Sequence, residues 1–127
     1  MITRARLRLR RASNVDLHVT SGCDVACLTD GSADFAFSFV VFQHVPSRDA
    51  VVSTIRDVHR VLRPGSLFKF QLQGSQDAGY LAAEKDTWLG ATFTQDELDL
   101  VAAACGFDVL GAAGAGTQYF WQWWRRR

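Results

Sequence analysis

The apolar and polar positions of this chain follow two periods, one typical of helices and one typical of strands. The clearest helical stripe consists of Val51, Ile55, Val58 and Leu62. Ser47 stands before this stripe as an N-cap, and Pro64 with Gly65 follows it as a stop signal. The pattern therefore predicts an amphipathic helix across the middle of the chain.

Five segments have the pattern of strands. Residues 15–20 alternate apolar and polar side chains, which predicts a half-buried strand. Residues 35–42 are almost continuously apolar, as expected of a parallel strand covered by helices on both faces. The remaining three segments are residues 67–72, 107–110 and 117–124, and the last two are expected to pair as a hairpin across a Gly/Ala-rich loop.

Two further helices are predicted, one at the start of the chain and one before the C-terminal hairpin. Residues 1–12 are rich in Arg, Leu and Ala, which are good helix formers. Thr94 and Glu97 have the spacing of a capping box, and Gly106 suits the left-handed C-terminal cap of the helix that they open. Residues 74–92 are loop-like, with room for one short helix. The order of elements predicts an α/β protein with a mostly parallel sheet that ends in an antiparallel hairpin.

Composition places the chain among globular proteins. Its 127 residues are 48% hydrophobic and 21% charged, and they fit a single domain over residues 1–127. The net charge of +1 gives no overall attraction to nucleic acid or membrane, so neither is expected as a partner. Arginines nevertheless crowd residues 4–11 and 125–127. They are expected to form a solvated helix face and a frayed tail; a transit peptide or a phosphate-binding arm are the alternatives.

Cys23, Cys27 and Cys105 are three cysteines, an odd number that makes no disulfide framework. They are expected to be small buried hydrophobic residues in a reduced, cytoplasmic protein. The longest apolar run is well short of the ~20 residues that a membrane span needs.

Polar residues follow two of the predicted strands, where ligands bind in open α/β sheets. The first strand is followed by Gly22, Cys23 and Asp24. A glycine lets a flat ligand approach the backbone, and a neighbouring acid can accept a hydrogen bond from an amine. An ordinary Gly-Asp turn is the alternative interpretation. Gln43 and His44 come after the second. His44 has two interpretations, a general base or a hydrogen-bond donor that pins the loop. The aromatic run 119–124 is expected to be core, with base stacking as the alternative.

Four linked motifs resemble one family. They are Asp30-Gly31-Ser32-Ala33-Asp34, the apolar run that starts at Phe35, Gln43-His44-Val45-Pro46 and Arg60-Val61-Leu62-Arg63-Pro64-Gly65. This series is similar to that of class I S-adenosylmethionine-dependent methyltransferases of type 11. Ser66 stands where the last motif usually has a second glycine. The resemblance extends over nearly the whole chain and is weakest between residues 74 and 92.

The resemblance implies a Rossmann-like methyltransferase fold, the cofactor S-adenosylmethionine and methyl transfer to a small molecule. It places Gly22, Cys23 and Asp24 beside adenine, Ser38 and Phe39 beside the sulfonium, and the rim residues Gln43 (substrate) and His44 (catalytic) where a substrate enters.

The family's first two strands, its glycine-rich loop and its ribose-binding acid have no counterpart in these residues. The resemblance therefore implies a sheet that lacks these two strands and a chain whose activity is impaired. A non-catalytic remnant that acts as a binding or dimerisation module is the alternative, with self-association through unpaired strand edges.

Overall fold

The computed structural model describes residues 2–127, which form a four-stranded mixed sheet with helices packed on it. The strands are β1 (Ala33–Ser38), β2 (Leu62–Leu72), β3 (Phe107–Ala113) and β4 (Phe120–Arg126), in the spatial order β1-β2-β4-β3. The helices are α1 (Ile2–Leu9), α2 (Arg48–Val61), α3 (Ala78–Ala82) and α4 (Gln95–Cys105), and a short 3-10 helix covers Phe42–His44.

The strand directions confirm the predicted fold class. β1 and β2 run parallel and are connected through α2, while β4 is antiparallel to both β2 and β3. β3 and β4 form the predicted C-terminal hairpin, and α3 lies in the segment where a short helix was expected. The sheet is therefore an α/β unit extended by an antiparallel hairpin.

The helix boundaries follow the capping residues. Ser47 accepts a hydrogen bond from the backbone N–H of Ala50 at the start of α2, which ends at Val61, before Pro64. Thr94 and Glu97 make both hydrogen bonds of the capping box at the start of α4. Gly106 ends α4 with a φ of 86°, in the left-handed region that glycine adopts without strain.

The core lies on one face of the sheet, under α2 and α4. Phe42 packs edge-on against Phe68 and Phe70, and Phe70 does so against Trp124. Along β4 the side chains alternate: Phe120, Gln122 and Trp124 are buried, whereas Trp121 and Trp123 are half-buried on the opposite face. The expectation that the aromatic run is core is therefore confirmed for one face of β4 and wrong for the other.

The strand predicted at residues 15–20 is absent from the described sheet. These residues make no strand ladder, and Val19 is 70% exposed. Alternation of apolar and polar side chains stabilises a strand only where a neighbouring strand accepts its backbone hydrogen bonds. The described residues offer no such neighbour.

The apolar run 35–42 is also shorter as a strand than predicted. β1 ends at Ser38, and the chain then turns through Val40, which has a φ of 56°. Phe35 and Phe37 are 55% and 57% exposed, because β1 is an edge strand whose second face no described helix covers. The cysteine expectation holds for Cys105, which is buried, and is wrong for Cys23 and Cys27, which are exposed.

Candidate active site

The carboxyl ends of the two parallel strands, β1 and β2, are adjacent, and the turn after β1 is tied to β2. The backbone N–H of Val40 donates to the side-chain oxygen of Gln71 at 3.0 Å. A positive φ is a costly conformation for a β-branched residue and persists where neighbouring contacts hold it. This hydrogen bond and the 3-10 helix that follows fix the turn that carries Ser38 and Phe39.

A second loop, residues 20–24, faces this turn. Gly22 has a φ of 88°, and a Cβ added there would meet no atom within 4 Å. The Ser21 hydroxyl donates to Asp24 at 2.5 Å, and the Ala26 N–H donates to the other carboxylate oxygen at 3.0 Å. These hydrogen bonds, that of Ser21 first, hold the pKa of Asp24 below its usual value. Asp24 is therefore an ionised, acceptor-only group near neutral pH.

The two loops enclose an apolar groove of about 760 Å³. Four predicted cofactor residues, Gly22, Asp24, Ser38 and Phe39, line it together. Cys23 does not line it; its backbone N–H donates to the Ser21 hydroxyl instead. The sequence prediction missed lining residues of three kinds: Thr20 from the loop, Phe35 and Phe37 from β1, and Thr54 and Val58 from α2.

Gln43 and His44 lie in a smaller neighbouring pocket of about 300 Å³. We call it the rim pocket; its other lining residues are Gln73, Tyr80, Trp88, Leu89 and Gln118. None of these was predicted, because most of them lie in or beside the loop at 74–92, whose sequence has no periodicity to place it. Tyr80 and Trp88, the two aromatic residues in that loop, were the only signal available.

Both ring nitrogens of His44 are hydrogen bonded within the protein. Nδ1 lies 3.1 Å from the carbonyl oxygen of Thr87, and Nε2 lies 3.1 Å from the side-chain nitrogen of Gln43. The ring therefore attaches the rim loop to the 3-10 helix, which is the loop-pinning arrangement. The role of general base stays a prediction.

A wider hollow of about 860 Å³ lies elsewhere, between α4 and β3. Small side chains such as Ala103, Ala112 and Ala115 form much of its wall, and no predicted site residue lines it. The groove next to β1 is the better candidate despite its smaller volume, because it lies at the carboxyl ends of parallel strands. Across residues 2–127, no group of three or more His, Cys, Asp or Glu side chains is arranged to hold a metal ion. None of the described helices is long and apolar enough to cross a membrane.

The fold and groove define an α/β protein of the class that binds ligands outside the ends of parallel strands. A family model described as a methyltransferase domain matches residues 1–70, more than half of the chain. The chain belongs to this methyltransferase-domain family. Comparison with curated proteins found no match.

Solved structures share the fold at low sequence identity. A candidate exported protein from Bordetella parapertussis has a TM-score of 0.71 and 16% identity, over 98% of this chain and 48% of that one. A SAM-dependent methyltransferase from Aquifex aeolicus has a TM-score of 0.68 and 14% identity, over 99% of this chain and 63% of that one. A third structure is the 1,6-didemethyltoxoflavin-N1-methyltransferase of Burkholderia thailandensis with bound 1,6-didemethyltoxoflavin and S-adenosylhomocysteine. It has a TM-score of 0.68 and 20% identity, over 97% of this chain and 56% of that one. The chain thus spans roughly half to two thirds of the length of these structures.

Proposed function

We propose that this chain takes part in S-adenosylmethionine-dependent methyl transfer to a small molecule. The observation that supports the proposal most directly is the groove at the end of β1, where Gly22, Asp24, Ser38 and Phe39 lie together. These residues are four of the five that the family resemblance assigns to the cofactor. The family match supports the same chemistry.

The chemistry of the groove suits the adenine half of the cofactor. Adenine is a flat ring with an amine that donates hydrogen bonds. Gly22 leaves room for the ring to approach the backbone. The ionised carboxylate of Asp24 can accept from the amine. Cys23 has only a backbone role in this proposal.

The cofactor would supply a methyl group already activated as a sulfonium, so this chain has to bind, orient and exclude water. Ser38 and Phe39, at the end of β1, would lie next to the reacting centre. Gln43 would contact the methyl acceptor from the rim pocket. His44 would take a proton from an acceptor that must lose one, after the Gln43 amide has moved away from Nε2.

We further propose that the 127-residue chain alone holds the cofactor weakly. Its sequence has no glycine-rich nucleotide-binding turn, and the four predicted residues in the groove serve only the adenine and the sulfonium. The alternative is a non-catalytic binding or dimerisation module. The exposed rings of Phe35 and Phe37 and the unpaired edge of β1 support that alternative.

The test is a titration with S-adenosylhomocysteine, which keeps the adenine, ribose and amino-acid contacts without turnover. Calorimetry is expected to detect no binding at tens of micromolar ligand. NMR at millimolar ligand is expected to shift the amide resonances of Gly22, Asp24, Ser38 and Phe39. The resonance of Ala112, in the hollow by α4, is the internal control and is expected to stay in place.

Asp24→Asn and a second ligand make the assignment specific. S-inosylhomocysteine replaces the adenine amine with a carbonyl, so its binding should be weaker and indifferent to Asp24→Asn. Binding of S-adenosylhomocysteine should weaken in that variant. Tight binding to the chain would contradict the proposed weak hold. Shifts confined to other regions, together with a dimer by sedimentation, would support the non-catalytic module instead.

A further inference from the structure

Gln71 is a fully buried glutamine near the end of β2 whose side chain is completely hydrogen bonded. Its oxygen accepts from the Val40 N–H at 3.0 Å. Its nitrogen faces three acceptors: the carbonyl oxygens of Leu72 and Gln118, at 2.9 and 2.6 Å, and the side-chain oxygen of Gln43, at 2.6 Å. Turning the amide over would set its oxygen against these carbonyls, so only one orientation satisfies the site.

The orientation of Gln71 determines that of the next two side chains. Gln43 must present its oxygen to Gln71, so its nitrogen faces His44 and donates to Nε2. Nε2 is then an acceptor without a proton. The proton of a neutral ring must lie on Nδ1, which donates to the Thr87 carbonyl oxygen.

The two ends of this hydrogen-bond chain are backbone groups that cannot change roles. Val40 N–H can only donate, and Thr87 C=O can only accept. The chain from Val40 through Gln71, Gln43 and His44 to Thr87 therefore runs in one direction.

We propose that Gln71 is a positioning residue that holds His44 as the neutral Nδ1–H tautomer. The tautomer follows from the hydrogen bonds alone. Its use rests on the proposed function: a methyl acceptor with an N–H or O–H group can replace the Gln43 amide as the donor to Nε2. A group that only accepts hydrogen bonds cannot.

The test is nitrogen-15 NMR of the histidine side chains in the 127-residue chain, above the pH at which the rings are charged. The signals of His44 are assigned by their loss in His44→Asn. In the wild type, we expect a pyrrole-type resonance for Nδ1 and a pyridine-type resonance for Nε2. In Gln71→Met, the two resonances should move part of the way toward each other, because Gln43 is free to turn and the Thr87 carbonyl alone then favours the Nδ1–H tautomer.

The matched control is Gln122→Met, which also replaces a fully buried glutamine in the sheet. Gln122 bonds to Gln95 and Trp124 and has no contact with His44, so the tautomer should not change. Gln43→Met, at the half-buried next link, should also mix the tautomers, and it decides the question if Gln71→Met does not fold.

Two results would overturn the proposal: a wild-type ring with its proton on Nε2, or an unchanged tautomer in Gln71→Met or, where that variant does not fold, in Gln43→Met. No ligand or turnover enters this measurement. A confirmed tautomer in a protein that binds no cofactor would therefore leave the positioning role intact and remove the proposed function.

Discussion

Residues 2–41 and residues 42–127 are held in the structure by different forces. Every buried apolar side chain of the core lies in the second region, from Phe42 to Trp124. In the first region no described residue is buried, and β1 is its only strand. The second region is therefore stabilised by apolar burial. The first is attached to it by the β1–β2 ladder, by stacking of Phe37 and Phe39 on Trp121, and by polar side-chain contacts.

Arg60, near the end of α2, holds the loop that precedes β1. Its guanidinium donates to the carbonyl oxygen of Leu28 at 2.9 Å and to Asp57 at 2.6 Å, and it forms an ion pair with Asp30. Asp57 in turn accepts from the Val25 N–H at 2.7 Å. The loop at 25–30 is thus held by one arginine and one aspartate on α2. Such contacts are worth far less than a core, and they depend on charge.

Phenylalanine substitutions on the paired strands β1 and β2 test this difference with the largest expected effect. Phe70 is fully buried, and Phe70→Ala should lower the free energy of unfolding by about 3–5 kcal/mol, since it opens a cavity beside Phe42 and Trp124. Phe37 is 57% exposed, and Phe37→Ala should cost less than about 1 kcal/mol. Urea denaturation followed by circular dichroism measures both.

The milder substitution Phe70→Leu keeps the comparison measurable if Phe70→Ala does not fold. It should cost about 1 kcal/mol. Equal losses for Phe37→Ala and Phe70→Ala would mean that the outer face of β1 is covered in solution, and the contrast between the two regions would fail there.

Arg60→Ala tests the polar attachment and should have an intermediate effect. The loop at 25–30 is expected to open more often, so the Val25 amide should exchange its hydrogen about tenfold faster, which corresponds to ~1.4 kcal/mol. Amides of β2 and β4 should keep most of their protection. Hydrogen exchange read by NMR gives both values in one experiment.

Arg63→Ala is the matched control for this arginine. Arg63 pairs with Asp34 at 2.5 Å, but both side chains are more than half exposed. Exposed pairs contribute about 0–1 kcal/mol, so Val25 should exchange as in the wild type. A Val25 amide that is insensitive to Arg60→Ala would show that apolar contacts hold the loop.

The difference between the regions also explains which elements could be predicted from sequence. The start of α4 could be predicted because Thr94, Glu97 and Gly106 carry their capping information locally. The strand at 15–20 could not, because its alternation is local whereas its stability depends on a neighbouring strand. The exposure of Phe35 was missed for the same reason: burial is a property of the partner surface.

The candidate site shows the same division. Gln43 and His44 could be proposed because they follow an apolar run, and Ser38 and Phe39 only because that run resembles the family's. Gln71 could not, since a glutamine inside a strand has the same pattern whether it faces water or is fully buried. Its role depends on Val40, Gln43 and Gln118, which are far from it in the chain and are brought together only by the turn after β1.

Acid is expected to weaken the polar attachment with a smaller effect than Arg60→Ala. The Arg60 hydrogen bond holds the pKa of Asp57 below its usual value. A lowered carboxyl pKa in the folded state means stability that is present above the unfolded pKa and lost as the pH falls through the folded pKa. The attachment should therefore persist at neutral pH and weaken only below about pH 4.

The Arg60 Nε–H resonance reports this titration, since that group donates directly to Asp57. Its midpoint should lie below that of an ordinary aspartate, and Asp57→Asn should abolish it. A midpoint at or above the usual aspartate value would show that Arg60 does not stabilise the charged form of Asp57.

Cysteine substitution should have the smallest effect on stability and yet separate the two regions. Cys23 and Cys27 are exposed, so Cys23→Ser and Cys27→Ser should change the free energy of unfolding by less than about 0.5 kcal/mol. Cys105 is buried against the core, and burial raises the pKa of its thiol. A thiol reagent should therefore label Cys23 and Cys27 in the native protein and Cys105 only at the rate of unfolding.

Mass spectrometry after timed labelling gives the three labelling rates, and urea should accelerate the labelling of Cys105 alone. Rapid native labelling of Cys105 would show that α4 opens as readily as the loop at 25–30, and the two regions would then not differ in the way proposed.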